Sequence, residues 1–238
     1  MSFDDPEAIM AMTRALGAAL LLLFCLGPAS ARLLAPGALN PALLLPPPPA
    51  SGSTDAKAEV AELHAIARRA TPAMLAAARR DSGDESADIF NAVLGFDITA
   101  LPVTDRLLNE VREEQGAEAG SAKNFFHRAR PWIVDPSIAI CGVAGPGAAH
   151  TSYPSGHATL AYSLGVVLAA LDPRKAQAIL ARASNYAENR LVCGMHFRSD
   201  IVAGEVLGTV VASRLMQVPS FETEMGQARA ELAAHHRD

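Results

Sequence analysis

The sequence predicts an all-α protein, a single compact multi-helix domain, on three observations. Alanine supplies 47 of the 238 residues while aromatics supply only 5%, which favours helix over a β sandwich. Apolar residues recur at helical spacing in one segment after another, and no run of alternating polarity is long enough for a sheet. Gly- and Pro-containing turns separate the segments, and no internal repeat divides the chain.

The first segment is of a different kind. Arg14 precedes an uncharged stretch, residues 15–31, whose apolar centre at 15–26 gives way to Gly27-Pro28-Ala29-Ser30-Ala31. A positive residue, a short apolar run and an A-x-A exit describe a secretory signal peptide over residues 1–31. The run is too short for a membrane span, and Pro28 would interrupt it. Asp4, Asp5 and Glu7 make an acidic leader, so Met12 is an alternative start to Met1. An uncleaved anchor is the competing reading.

Residues 32–54 are rich in Leu, Pro, Gly and Ser, with Pro46 to Pro49 in a row. They read as an extended linker or an arm lying on the domain that occupies 55–238. Helical periodicity begins at Asp55 and carries Val60, Leu63, Ile66, Ala67 and Ala70 on one stripe, with a break or kink at Pro72. Further helices are expected near 87–94, 103–114, 122–130, 155–171, 173–192, 196–216 and 221–235. The signals between them are Gly116 and Gly120, Pro131, the glycines of 142–147, Asp172-Pro173 and Pro219. Within 155–171 His157 is the one side chain that titrates near neutral pH, so this helix belongs in the core. Segment 201–218 contains Glu205 and Arg214, which argues against a multi-spanning membrane protein.

The formal net charge is −5, with 50% hydrophobic and 19% charged residues. Such a chain is too apolar for an acidic disordered protein, and its mild acidity argues against a nucleic-acid partner. Three cysteines without CxxC spacing exclude a zinc ribbon or a thioredoxin-type centre. Cleavage of the leader would remove Cys25 and leave Cys141 and Cys193. In an oxidising compartment these are a disulfide candidate worth about 3–4 kcal/mol by loop entropy. Two buried free thiols are the alternative.

Three clusters place ionisable groups beside helix boundaries. In the first, Lys123 and Arg130 are seven apart on one expected helix, two turns on one face, with Pro131 as its stop. Two such cations make half of an anion clamp or simply a solvated basic face. In the second, Ser155 N-caps the apolar helix, Gly156 lets an oxyanion approach the backbone, and His157 occupies the first turn. The helix N-terminus is a ready phosphate site, although a capped helix with a structural histidine has the same sequence.

The third cluster runs from Arg190 to Asp200. His196 and Asp200 at i, i+4 would share one helix face, so the carboxylate fixes the ring tautomer and leaves the other nitrogen as nucleophile or base. Gly194 ends the preceding helix and lets Arg190 swing to the same pocket. An ordinary surface His–Asp pair remains the alternative. His64, His150, His235 and His236 lack partners at metal-ligand spacing, and His127 packs beside the clamp. No HExxH, GxSxG, P-loop or dinucleotide fingerprint occurs, so no metal and no cofactor is expected.

In order and spacing, Lys-x6-Arg-Pro, Pro-Ser-Gly-His and Arg-x5-His-x3-Asp together resemble the phosphatidic acid phosphatase type 2 superfamily, which includes the vanadium haloperoxidases. Within it the chain looks like the class A bacterial non-specific acid phosphatases, which are secreted, helical and metal-independent. Ser152-Tyr153 before the second motif, Val192-Cys193-Gly194 before His196, and the approach through Phe90-Asn91-Ala92 and Ile98-Thr99 fit that class. The resemblance covers roughly residues 60–235 and implies the all-α haloperoxidase-type fold.

It implies further that Lys123, Arg130, Ser155, Gly156 and Arg190 hold phosphate. His196 would attack phosphorus to form a phosphohistidine, Asp200 would orient it, and His157 would protonate the departing alkoxide. The family usually carries Ser before the second arginine. Here Asn189 stands there; an amide can still donate to a phosphate oxygen, so altered affinity more than lost activity is expected. The expected activity is hydrolysis of small organic phosphomonoesters in the periplasm or outside the cell, without nucleic acid or a stable membrane span after cleavage. Association into a homo-oligomer is left open. A vanadate-dependent haloperoxidase, a lipid phosphate phosphatase and a non-enzymatic phosphate binder are the alternatives. A histidine acid and a histidine nucleophile together predict a bell-shaped rate profile on the acid side.

Overall fold

The computed structural model describes residues 32–236, of which those from Leu33 onward form one unit. The expected leader, with Met12 and Cys25, lies outside the described residues. Seven helices of three turns or more carry the fold: α1 (Thr54–Arg69), α2 (Pro72–Gly83), α3 (Pro102–Phe126), α4 (Gly156–Leu171), α5 (Ala176–Val192), α6 (Arg198–Leu215) and α7 (Pro219–His235). Single turns at Ala87–Phe90, Asn91–Leu94, Ile98–Ala100, Pro131–Val134, Ala148–His150 and Pro173–Lys175 link them, and no strand occurs among the described residues.

The apolar helix α4 is the hub. Ala158, Leu160, Leu164, Val167 and Leu168 are fully buried, and α4 packs against α6, α5 and α3. Ser155 caps it, its Oγ accepting from the Ala158 N–H at 3.3 Å. The α4–α6 crossing is built on two glycines. A Cβ at Gly204 would stand 2.6 Å from the Ser155 carbonyl oxygen, and one at Gly208 would stand 2.4 Å from that of Thr159. Only hydrogen at these positions lets the two backbones touch, and the contact brings the N-terminal ends of α4 and α6 together. Helix α7 closes the far side of α3 by burying Phe221, Met225, Ala228 and Leu232.

Residues 33–53 lie against this bundle as an arm. Leu34, Leu39 and Leu45 are buried in the main core, and the Leu33 N–H donates to Glu114 Oε1 at 2.6 Å. Tyr153 Oη donates to the Pro46 carbonyl at 2.6 Å. Cys141 and Cys193 form a disulfide that ties the loop after Pro131–Val134 to the end of α5. Among the described residues no single helix is long and apolar enough to cross a membrane.

Three expectations about boundaries need correction. Gly116 and Gly120 do not end a helix: 103–114 and 122–126 belong to the continuous α3. The buried stripe Val111, Gln115, Ala119 and Ala122 runs unbroken through both glycines, and its burial outweighs the roughly 1 kcal/mol that each glycine costs. The helix then stops at Phe126, not Arg130, because His127 adopts the left-handed conformation with φ 50°. Lys123 and Arg130 are therefore not two turns apart on one helix face. Finally, α6 begins at Arg198, so His196 precedes it and does not share its face with Asp200.

Candidate active site

The three clusters meet in one cavity of about 450 Å³. Lys123, Arg130, Gly156, His157, Arg190 and His196 line it; Ser155 and Asp200 stand behind the wall, both fully buried.

Each cation arrives differently. Lys123 sits in the last turn of α3, where its Nζ donates to the Thr151 carbonyl at 2.7 Å and passes over Gly156. A Cβ on Gly156 would lie 3.6 Å from Lys123 Cε, so the glycine keeps the helix end open beside the ammonium. Arg130 caps the next turn and reaches inward. Its Nη1 donates to the Met195 carbonyl at 2.8 Å and contacts His196 Nε2 at 2.8 Å. Arg190 comes from the last turn of α5, and its Nε and Nη1 are buried without a hydrogen-bond partner. Gly194, with φ 63°, turns the chain sharply between Arg190 and His196; a side chain there would strike the Ala139 carbonyl.

An arginine is always a donor, so His196 Nε2 must be the unprotonated nitrogen that accepts from Arg130. Its Nδ1 lies 3.4 Å from Asp200 Oδ2, which leaves Nδ1 to carry the ring proton. Asp200 is at N3 of α6, where its Oδ2 also accepts from the Phe197 N–H at 2.8 Å and from Ser152 Oγ at 2.6 Å. The pair survives the later helix start because Phe197 is the extended N-cap and Asp200 sits in the first turn of α6, which keeps its carboxylate at the helix end beside His196.

Burial sets the electrostatics. Desolvation, then Arg130, Lys123, Arg190 and His157, hold the His196 pKa well below its ordinary value. His157 is lowered likewise by burial and by Arg190, Lys123 and Arg130. Lys123 falls to about 7, chiefly through burial and the neighbouring Arg130, and burial brings Arg130 to about 10. Burial raises Asp200 against the opposing pull of Arg128. These are the marks of a site built to receive negative charge: its own cations are uncomfortable without a partner.

Arg128 is the residue that sequence reasoning missed. Its Nη1 donates to Asp200 Oδ1 at 2.6 Å and to Ser199 Oγ at 2.8 Å, while its Nη2 donates to Glu59 Oε2 at 2.6 Å. The guanidinium also lies over the Phe197 ring, 4.4 Å from its centroid. A buried aspartate demands a cation, and that demand was the available signal. Nothing in local spacing points to Arg128, since its partners are 69 to 72 residues away.

Asn189 differs from its expectation. Its Nδ2 donates to Asp81 Oδ2 at 2.7 Å, beside the two-pronged Arg182–Asp81 pair, and it does not line the cavity. The amide is one atom longer than a serine hydroxyl and turns toward the nearest full charge. His127 stacks on His150, His64 contacts Asp135 at 2.9 Å, and His236 approaches Asp172 at 3.3 Å. Among the described residues no three His, Cys, Asp or Glu side chains converge to hold a metal ion.

Comparison with known proteins gives the same outline. The sequence pattern of the PAP2 superfamily matches residues 115–224, which include every residue of the three motifs. The chain is 31% identical to an acid phosphatase of Zymomonas mobilis over 204 residues, covering 81% of this chain and 75% of that one. It is 30% identical to a non-specific acid phosphatase of Salmonella typhi, over 82% of this chain and 80% of the relative. A non-specific acid phosphatase of Providencia stuartii is 29% identical, with 82% of each chain covered. On this likeness in sequence, the chain belongs to the PAP2 superfamily, among the bacterial non-specific acid phosphatases.

Proposed function

We propose that this phosphoric monoester hydrolase acts on small organic phosphomonoesters through a phosphohistidine at His196, with no metal ion in the reaction. The observation that carries the reading is the contact between Arg130 Nη1 and His196 Nε2 at 2.8 Å inside a cavity lined by two further cations.

The phosphoryl group takes the position between Lys123, Arg130 and Arg190, and the three guanidinium and ammonium groups share its equatorial oxygens. The first-turn N–H groups of Gly156 and His157 have no carbonyl within α4 and add donors from the helix end. Ser155 contributes from behind the wall, its oxygen capping α4 and its N–H donating to the Asp200 carbonyl at 2.9 Å, which fixes the helix end against the phosphate position. Phosphate binding turns Arg130 from His196 to the substrate and frees Nε2.

His196 Nε2 then attacks phosphorus, and the bond to the ester oxygen breaks. That oxygen takes a proton from His157, and the alcohol leaves. As the ring becomes an imidazolium substituted at Nε2, Asp200 stabilises the positive charge through Nδ1–H, and Arg128 keeps Asp200 ionised and aimed. In the second half a water gives its proton to His157 and its oxygen to phosphorus. The N–P bond breaks and phosphate departs. The protein's contribution is positioning and charge, which phosphoryl transfer needs most.

The reading extends to location. The apolar 15–26 segment, its small-residue exit and the Cys141–Cys193 disulfide support a periplasmic or secreted enzyme, processed after residue 31. Turnover of a chromogenic phosphomonoester by the wild-type chain, unaffected by a chelator and inhibited by vanadate, tests the whole. Bromide oxidation with added vanadate in place of ester hydrolysis would overturn it.

A further inference from the structure

His157 has a neighbour to which the motifs give no part. Its Nδ1 lies 3.2 Å from Oε1 of Glu85, in the loop between α2 and the turn Ala87–Phe90. The imidazole stacks on Tyr186, with ring centroids 5.5 Å apart at 18°, and its Nε2 is buried with no hydrogen-bond partner. The histidine side chain is 12% exposed and the glutamate 65%. Glu85 thus reaches inward from the rim of the cavity that His157 lines, and the buried ring is held by this carboxylate, by a hydrogen bond with the Ser82 backbone and by the Tyr186 face.

We propose that Glu85 is a positioning residue for His157, holding a proton on Nδ1 so that Nε2 is the nitrogen that gives its proton to the leaving oxygen. The inference rests on the phosphatase reading above. In the forward step Nε2–H protonates the ester oxygen as the P–O bond breaks. In the hydrolytic step Nε2 takes a proton from water as the N–P bond breaks. Through both steps the Nδ1 proton stays between the ring and Glu85.

The surroundings explain why such an anion is needed. Lys123 of α3, Arg130 of the following loop and Arg190 of α5 all face His157, as do the Tyr186 phenol and the His196 ring. Burial and those three cations disfavour the charged imidazole, yet a general acid must hold its proton at the working pH. Glu85 is the carboxylate in contact with the ring, and the incoming phosphate supplies a second negative charge. The acid is therefore charged most readily when substrate is bound.

Glu85 also faces Lys123 and Arg190, so the test must separate positioning from general charge. The pH dependence of kcat and KM is measured for the wild type, Glu85→Gln and Glu85→Asp on p-nitrophenyl phosphate and on glycerol 2-phosphate. The nitrophenolate leaves as a stable anion and needs little help, whereas the glycerol alkoxide needs the proton. Glu85→Gln is expected to lower kcat on the glycerol ester by about tenfold and on the nitrophenyl ester by less than about threefold. The alkaline limb of kcat on the glycerol ester, which reports the complex in which phosphate already engages Lys123, should move to lower pH, and Glu85→Asp should recover part of the loss.

Because Glu85 is largely exposed, the melting temperature of both variants should stay within about 2 °C of wild type. Equal loss on the two esters, or an unmoved alkaline limb, would overturn the inference while leaving the phosphatase reading standing. A wild-type chain inactive on both esters would overturn the two together.

Discussion

Arg128 Nη1 donates to Asp200 Oδ1 at 2.6 Å, beneath a carboxylate whose other oxygen faces His196 Nδ1 at 3.4 Å. Glu59 backs the arginine and also accepts from the Ser199 N–H and hydroxyl at the start of α6. His196 thus faces a chain of charges that runs from α1 through the loop after α3 to α6. It has a cost in stability. Asp200 has its pKa raised in the folded state, so its contribution is fully present below the unfolded value near 3.8 and is lost as pH rises through the folded one.

Replacing Asp200 with Asn removes that carboxylate but turns an amide NH2 toward a donor, since Arg128, the Ser152 hydroxyl and the Phe197 N–H all donate to it. The change should cost about 1–3 kcal/mol while kcat falls by about 10²–10⁴-fold, because an amide can fix the wrong ring tautomer. Arg128→Met leaves the Asp200 charge buried without its partner and should cost about 3–5 kcal/mol. Urea unfolding beside initial rates distinguishes the two.

Lys123 carries the alkaline side of the kcat/KM profile in the proposed mechanism. Its pKa of about 7 means that the free enzyme loses a positive charge facing the cavity as pH rises through neutrality. The kcat/KM profile should fall through that range, and Lys123→Arg, which stays charged, should shift the fall to higher pH while lowering the maximum. Stability should run the other way: a lysine depressed from 10.5 binds fewer protons folded than unfolded, so the ligand-free fold gains stability between about pH 7 and 10.5. Melting curves over that range, compared with those of Lys123→Met, check the sign.

Asn189→Ala should leave KM for a phosphomonoester within about twofold of wild type, because the amide faces Asp81 and not the cavity. It should still destabilise the chain by about 1–3 kcal/mol, the loss of a buried hydrogen bond to a charge.

Gly204→Ala and Gly208→Ala each force α4 and α6 apart and should cost about 1–3 kcal/mol. Gly204 abuts Ser155 and Gly208 lies one turn deeper, so Gly204→Ala should lose more in kcat relative to its loss in stability.

The residues proposed for the chemistry were legible because their spacing is local: Ser155-Gly156-His157 at one helix start, His196 and Asp200 around another. The cap of α4 and the turn at Gly194 follow from the same short-range logic, whereas the Cys141–Cys193 pair, 52 residues apart, follows from these being the two cysteines beyond the expected leader. What escaped was long-range. Gly116 and Gly120 look like turns until the buried stripe on both sides of them is seen to be one face of α3. Arg130 looks helical until His127 ends the helix ahead of it, and it reaches the cavity by a different path than its spacing implied. Arg128 and Glu85 act on residues more than seventy positions away, and no local pattern connects either to its partner.

The central claim is that His196 becomes covalently phosphorylated. The direct measurement is rapid quenching of the wild-type enzyme during turnover of a radiolabelled phosphomonoester, with alkaline work-up and peptide mapping, beside the activity of His196→Ala. The account predicts label on the peptide containing His196 and activity lowered by at least about 10³-fold in the variant. Label on another residue, or full activity in His196→Ala, would contradict it.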